Sequence, residues 1–328
     1  MTEPIKTLSG RREFLFLYDI KMGNPNGDPD ENRPRVLPDG TYYVTDVRLK
    51  RFSRDFLKSR KQEILVDNIE GRTTNLTGRV VHYLSKNGEE KLDGKDLVNV
   101  LLDAFIDARL FGSSLAFKAE KFKDEKGKEQ TWEPKPEPKT LTGAVQLNMG
   151  EVLHRAESVD IHGTSVFGSD ESKSQGTFTS YYGLRYALIG FSGVANEHSA
   201  KISRLSDEDY ELFLRSLWHG VRSAGNTRTK VGQIPRLMLN IEYQPGEEFQ
   251  LGRLHDYVKL LPTGEKAEKE WASPDDYQVD LSKLIARISE QKGRISAVRY
   301  ALSKDVALTE PLPEYWEELT IEDLPKGN

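Results

Sequence analysis

The chain contains no cysteine. That excludes a disulfide framework, a thiolate metal site and a cysteine nucleophile. No apolar run reaches the length a bilayer span needs, and Met1 to Arg12 lacks the apolar stretch of a signal peptide. A soluble cytoplasmic protein is the expectation. Hydrophobic residues are few, 37% against 30% charged, which predicts a modest core with long polar excursions rather than disorder. The histidines, His82, His154, His162, His198, His219 and His255, stand apart, with no pair at metal-ligand spacing. There is no Gly-x-Ser-x-Gly elbow. Gly163 to Gly168 has the glycine spacing of a phosphate loop, but Ser169 occupies the place of the required lysine. Neither a cofactor nor a metal is expected.

What the chain does have is an unusual turn. Gly23-Asn24-Pro25-Asn26-Gly27-Asp28-Pro29-Asp30 follows the apolar run Phe14 to Ile20 and precedes a basic helix. Glycine, asparagine and aspartate tolerate left-handed backbone, and proline fixes φ, so the segment holds a shaped backbone with N–H groups free to face a ligand. Strand, rigid polar loop and basic helix together suit an anion. The spacing of Asn24, Asn26, Asp28 and Asp30 is also that of a calcium loop's start. Pro29 stands at the required glycine, however, and Arg35 at the closing glutamate.

The net charge of −5 weighs against nucleic-acid binding, yet its distribution matters more than its sum. Arg48 to Lys61 holds seven basic residues and one acid, Asp55, whereas the tail from Glu310 holds six acids and one lysine, Lys326. Thr45 is a good N-cap and Asp46 suits the positive end of the helix dipole. Leu49, Phe52 and Phe56 share one helix face, with Lys50, Arg51, Arg54, Lys58 and Lys61 on the other. A solvated face is the ordinary fate of such charge. A second basic loop runs from Arg222 to Gln233, where hydroxyl residues beside Arg228 and Lys230 suit phosphate and sugar contacts, although an ordinary helix-to-strand connection is equally open. Tyr42, Tyr43, Phe178, Tyr181 and Tyr182 are candidates for base stacking, with core packing the alternative.

Further elements follow from pattern. A helix is expected over Leu97 to Leu110, ending near Gly112. Phe117 to Lys139, rich in lysine, glutamate and proline, reads as an exposed mobile insertion, and Trp132 to Pro138 as irregular. Leu141 to Val152 and Tyr181 to Ser192 read as strands, with a Ser/Gly-rich loop, Gly163 to Gly176, between them. Ser206-Asp207-Glu208-Asp209 opens an amphipathic helix through Tyr210, Phe213, Leu217 and Val221. Leu237, Leu239, Ile241 and Tyr243 alternate as a strand, and Leu281 to Gln291 is a last helix. No solenoid repeat is visible. The fold class is α+β, a small sheet backed by helices.

Asp28, Asp46 and Asp55 leave one enzymatic alternative open, a metal-dependent endoribonuclease. A turn role for Asp28 and a helix-start role for Asp46 compete with it. A lone single-strand-binding module is a further alternative.

The string Gly23 to Pro29, then Asn32-Arg33-Pro34-Arg35, then Val44-Thr45-Asp46-Val47-Arg48-Leu49-Lys50-Arg51, resembles the backbone subunit of CRISPR Cascade complexes, the Cas-seven family, in its type I-B and I-C branches. Asp107 to Gly112, Leu141 to Gln146 and Gly225 to Tyr243 are similar to further family blocks, so the resemblance spans most of residues 13 to 243. It implies one RRM-like (ferredoxin-like) palm, with finger and thumb insertions over about 60–180, leaving 244–328 as an unassigned extension. It also implies a non-catalytic subunit that polymerises along the guide crRNA and grips its backbone without reading sequence. The implied partners are crRNA, target DNA, neighbouring copies, other Cascade subunits and a helicase-nuclease recruited by the complex, with no membrane. The implied RNA-binding residues are Asn24, Asn26, Arg35, Arg48, Lys50, Arg51, Arg54, Arg228, Lys230 and Gln233. Sequence-independent grip needs cations and backbone donors on phosphates, with the guide bases left free to pair.

Overall fold

Nine consecutive residues from Arg12 to Ile20 are buried, so this strand lies inside a sheet covered on both faces. The computed structural model describes residues 6–88, 96–123, 128–132, 140–164, 178–225 and 229–321. They fall into two compact units. A sheet unit comprises Arg12–Ser53, Leu147–Gly193 and Arg215–Asn328, and a helical unit comprises Met1–Arg11, Arg54–Gln146 and Val194–Leu214.

In the sheet unit the strands are β1 (Arg12–Gly23), β2 (Tyr43–Val44), β3 (Gly150–Val152), β4 (Ser158–Thr164), β5 (Phe178–Ala195), β6 (Ile234–Tyr243), β7 (Ile295–Leu302) and β8 (Glu317–Glu318). Their order across the sheet is β8-β7-β6-β1-β5-β3-β2, with β4 paired to β5 off this path. The sheet is mostly antiparallel: β1 runs from Arg12 opposite Glu242 to Asp19 opposite Ile234, with a register shift between Leu17 and Tyr18. Only β7 and β8 pair in parallel among the registers described.

The pleat sends alternate β1 residues to opposite faces. On one face Leu15 and Leu17 join Tyr186, Leu188, Leu237, Leu239, Ile241 and Tyr243. Residues C-terminal to the expected strand set complete that core, among them Trp271, Tyr277, Val298 and Trp316. The extension left unassigned in the sequence therefore adds β7 and β8 to the sheet, the paired strands Lys259–Pro262 and Tyr277–Asp280, and a helix, Ser282–Glu290. On the other face Phe16 stacks on Tyr18 at 5.8 Å, and Tyr18 on Phe191 at 6.2 Å. β6 is buried at Arg236, Met238 and Asn240 as well as at its alternating apolar positions. The Arg236 charge is balanced there by Asp19 at 2.7 Å and Asp305 at 2.8 Å, as a buried cation requires.

Helix α1 (Asp46–Ser59) follows β2, and α2 (Asp207–Ser223) precedes β6. Leu49, Phe52 and Phe56 are buried, as the helical spacing predicts. α2 opens on a reciprocal cap: Ser206 Oγ accepts from the Asp209 N–H at 3.1 Å, and the Ser206 N–H donates to Asp209 Oδ2 at 3.4 Å. In the sheet unit α1 and α2 approach closely at Ser53 and Ser216, whose hydroxyls are 2.5 Å apart, and at Gly220, which faces the Phe52 carbonyl.

The helical unit holds Leu76–Lys86, Leu97–Ala104 and Ile106–Phe111, closed around Leu65, Val80, Leu84, Leu101 and Leu102. Asn75 and Asp96 cap the first two, their side chains accepting from Gly78 and Asn99 N–H groups. The single helix expected over Leu97 to Leu110 is broken at Phe105, which is extended at φ −110° and ψ 109°. Its ring packs against Tyr83 at 5.1 Å and under Arg79, and Arg109 Nη1 donates to the Leu102 carbonyl near the break at 2.8 Å. Within the stretch expected to be an exposed insertion, Glu120–Lys123 pairs with Glu129–Trp132. Residues 124–127 and 133–139, and most of the loop 163–176, lie outside the described residues. Among the described residues no helix is long and apolar enough to cross a membrane.

A Cβ at residue 220 falls 2.7 Å from the Phe52 carbonyl oxygen, a backbone atom that cannot swing aside. Gly220→Val is expected to lower unfolding free energy by about 2–3 kcal/mol through overpacking, read as a lower denaturant midpoint at unchanged m-value.

Candidate nucleic-acid interface

A turn with no ladder of its own must borrow partners for its backbone. The Gly23–Arg35 turn draws them from Thr229 and Lys230 and from its own side chains. The Asn24 N–H donates to the Thr229 carbonyl at 2.9 Å, and Lys230 Nζ donates to the Asn24 carbonyl. The Asn24 side chain is 0% exposed, and its Nδ2 donates to the Asn32 carbonyl at 2.7 Å across the turn. Asp28 Oδ1 accepts three backbone N–H groups, from Asp30, Glu31 and Asn32, at 3.0, 2.8 and 3.0 Å. Those donors, Glu31 foremost, hold its carboxyl below the usual range. A Cβ on Gly27 would lie 1.9 Å from Asn32 Oδ1, so any larger residue there displaces the Asn32 side chain.

The same turn starts α1. Asn26 Oδ1 accepts from both the N–H and the hydroxyl of Thr45 at 2.8 Å, and Thr45 Oγ1 caps the Arg48 N–H at 3.3 Å. Thr45 acts as the expected N-cap, and the turn positions it. Asn24 and Asn26 thus brace the backbone from within.

The cations gather around this frame. Arg35 and Arg48 are half-buried, Arg48 over the Phe52 ring at 5.3 Å, and Arg51 is half-buried on α1. Lys50 is paired with Asp46 at 2.9 Å one turn earlier. Lys230 is 7% exposed, and burial together with the nearby Arg48 charge lowers its pKa to about 7. Gln233 is buried and donates from Nε2 to the Val221 carbonyl at 3.3 Å. Arg228 lies outside the described residues, as does the side chain of Phe178.

Arg54 stands apart from the others. The helical spacing put it on the charged outer face, but it is 9% exposed, with Nε on Asp107 Oδ2 at 2.8 Å and its guanidinium over Phe111 at 5.0 Å. Asp107 is fully buried and also accepts from the N–H groups of Leu65 and Val66. This carboxylate, distant in sequence, draws Arg54 inward. Arg33, absent from the expected contact set, is exposed. It lies 3.9 Å over the Tyr182 ring and pairs with Glu31 and Asp160. Its neighbour Arg35 in the same loop was the available signal. Tyr181 donates to the Met22 carbonyl at 2.6 Å, and Tyr42 and Tyr43 are half-buried.

The three aspartates of the enzymatic alternative are dispersed in role. Asp28 holds the turn, Asp46 pairs with Lys50, and Asp55 is exposed on α1. Among the described residues no group of three or more histidines and carboxylates could hold a metal ion. A Ser192–His255 contact of 2.7 Å, flanked by Asp256, is sealed: both residues are buried, and Ser192 Oγ also accepts the His255 N–H at 2.9 Å.

The family model described as CRISPR-associated protein Cas7 matches residues 10–282. A CRISPR-associated protein Cas7 of Haloferax volcanii is 31% identical over 327 residues, covering 96% of this chain and 94% of its own. Two solved chains share the fold. One is from a CRISPR RNA-guided surveillance complex, pre-nicking, at TM-score 0.53 and 15% identity, with 94% of this chain and 95% of that chain covered. The other is from a CRISPR RNA-guided surveillance complex at TM-score 0.50 and 13% identity, with 94% of each covered. The chain belongs to the Cas7 family.

Removing one partner of a buried ion pair leaves the other charge uncompensated. Arg54→Ala is therefore expected to lower stability by about 3 kcal/mol, measured by urea denaturation.

Proposed function

We propose that this protein is a non-catalytic, RNA-binding backbone subunit of a type I Cascade surveillance complex. Copies polymerise along a guide crRNA, hold its backbone without reading sequence, and leave its bases to pair with target DNA. Membership of the Cas7 family over residues 10–282 carries this function. The cations around the turn support it: Arg33, Arg35, Arg48, Lys50 and Arg51 are borne on a turn and helix start braced by Asn24 and Asn26.

The order β6-β1-β5-β3, with α1 after β1 and α2 between β5 and β6, supports reading this part as an RRM-like palm in which two helices link four central strands. The helical unit then supplies inserted finger or thumb regions. Asn24, Asn26 and Gln233 act by shaping the palm's loop, and Arg228 extends the same basic surface. Arg54 holds its helix in place through Asp107. Neighbouring copies, other Cascade subunits and a recruited helicase-nuclease are the partners in this scheme, and the cytoplasm is its setting. No role falls to Asp28, Asp46 or Asp55 as metal ligands, because turn geometry and an ion pair account for the first two.

The triple variant Arg48→Glu, Lys50→Glu, Arg51→Glu is expected to weaken single-stranded RNA binding equally across sequences. Its salt slope should flatten by about 0.7 for each phosphate that is no longer neutralised. Unchanged affinity and slope would remove this surface from the interface. Light scattering should show mass growing with guide length as copies add, and a fixed 1:1 complex on long RNA would contradict polymerisation. RNA cleavage in Mg²⁺ that Asp28→Ala abolishes would overturn the non-catalytic assignment.

A further inference from the structure

Lys230 is a buried amine in an unusual position. It reaches from the start of β6 to the Asn24 carbonyl, 206 residues away in sequence, beside the Asn24 N–H bond to Thr229. The two bonds close a clasp between the Gly23–Arg35 turn and the segment leading into β6. The charged group acting on it is another cation, Arg48 of α1. From the turn it meets a carbonyl, and among the described residues no carboxylate forms an ion pair with it. The acids of the turn and the helix start have other partners: Asp46 pairs with Lys50, and Asp28 accepts three backbone N–H groups. Tyr18 of β1, also buried, feels the same Arg48 charge.

A desolvated amine beside an arginine, with no counter-ion, holds a second positive charge poorly. An amine donates a hydrogen bond to a carbonyl whether or not it is protonated, so the clasp survives the loss of its charge. A polyanion laid along Arg48 and the turn changes that balance, because each phosphate offsets the repulsion that disfavours the proton.

We propose that Lys230 is a positioning residue that couples RNA binding to proton uptake: it clasps the turn as a neutral amine in the free protein and as an ammonium when RNA lies over Arg48. The proposal rests on the RNA-binding function above. By linkage, a group that gains a proton on binding makes binding tighter as pH falls, and RNA in turn raises the group's proton affinity. A structural clasp alone, of fixed charge, would show no such dependence. With a free-state pKa of about 7, the coupling falls in the neutral range.

The sign for stability is separate. The folded-state pKa lies below the ordinary value of 10.5. Between about 7 and 10.5 the unfolded chain therefore holds more protons on this residue than the folded one. Stability accordingly rises with pH across that window, and the penalty of the buried charge is complete below it.

The test uses the full chain and a fluorescein-labelled single-stranded RNA of mixed sequence, with anisotropy read from about pH 6 to about pH 9. Wild type, Lys230→Met and Lys230→Arg are compared, the last keeping a permanent charge. Wild-type affinity is expected to fall as pH rises above about 7, by at most about tenfold per pH unit for one proton. Both variants should be flatter over the same range, and titration calorimetry in two buffers should record proton uptake with wild type alone. RNA binding with equal pH slopes in wild type and Lys230→Met overturns the coupling while leaving the RNA-binding function standing. Absence of RNA binding by any of the three at every pH overturns that function, and the coupling with it. Thermal melting without RNA supplies an independent arm. Wild type should gain on Lys230→Met as pH rises from about 7 towards about 10, and parallel melting curves would overturn the titration of Lys230.

Discussion

Everything proposed for the basic surface depends on one constraint: an irregular turn buried at its base must have every backbone group met by something. In this chain backbone and side chains share the work: the Asn24 N–H donates to the Thr229 carbonyl and the Asp28 N–H to the Arg33 carbonyl, and side chains add to them. Asn24 spans the turn, Asn26 ties it to Thr45, Asp28 gathers three N–H groups, and Lys230 fixes the turn to the segment before β6. A surface organised in this way is rigid before any ligand arrives. Little ordering entropy then opposes binding, and a grip indifferent to base identity benefits from that most, since it has no base-specific contact to offset such a cost.

The division of labour follows residue chemistry. Asparagine and aspartate, short and polar, work inward on the backbone. Several arginines and lysines carry their charge outward on long stems, whereas Lys230 turns inward onto a backbone carbonyl and others are drawn in by acids. Arg54 beside Asp107, and Arg236 between Asp19 and Asp305, are drawn in this way. Basic residues in this family member thus serve two ends, and helical position alone does not separate them.

Much of the architecture was legible in the sequence. The apolar run before Gly23 gave β1, Thr45-Asp46 gave the start of α1, and Ser206 to Asp209 gave the cap of α2, because each is a local signal read over a few residues. Illegible features depend on distant partners. Periodicity placed Arg54 outside, for Asp107 is 53 residues away. The break at Phe105 arises from the packing of Tyr83 and Arg79, not from any local breaker residue. The strands after Tyr243 escaped notice as part of the main sheet because pairing with β6 is a tertiary fact. At the candidate site the residue types were visible, but not which of them faced inward: Asn24, Lys230 and Gln233 read as polar loop residues and are buried.

The sheet order carries a consequence for how the protein comes into being. β1 is synthesised before its neighbour β6, whose first strand residue is Ile234, and β6 is in turn flanked by β7, ending at Leu302. β1, buried along nine consecutive residues, is therefore synthesised long before the strand β6 that pairs with it. Sheet closure is dominated by contacts of high sequence separation, and the β1 edge that β6 covers stays open until Ile234–Tyr243 has been made. Until then that edge must be kept from finding the β1 of another unfinished chain.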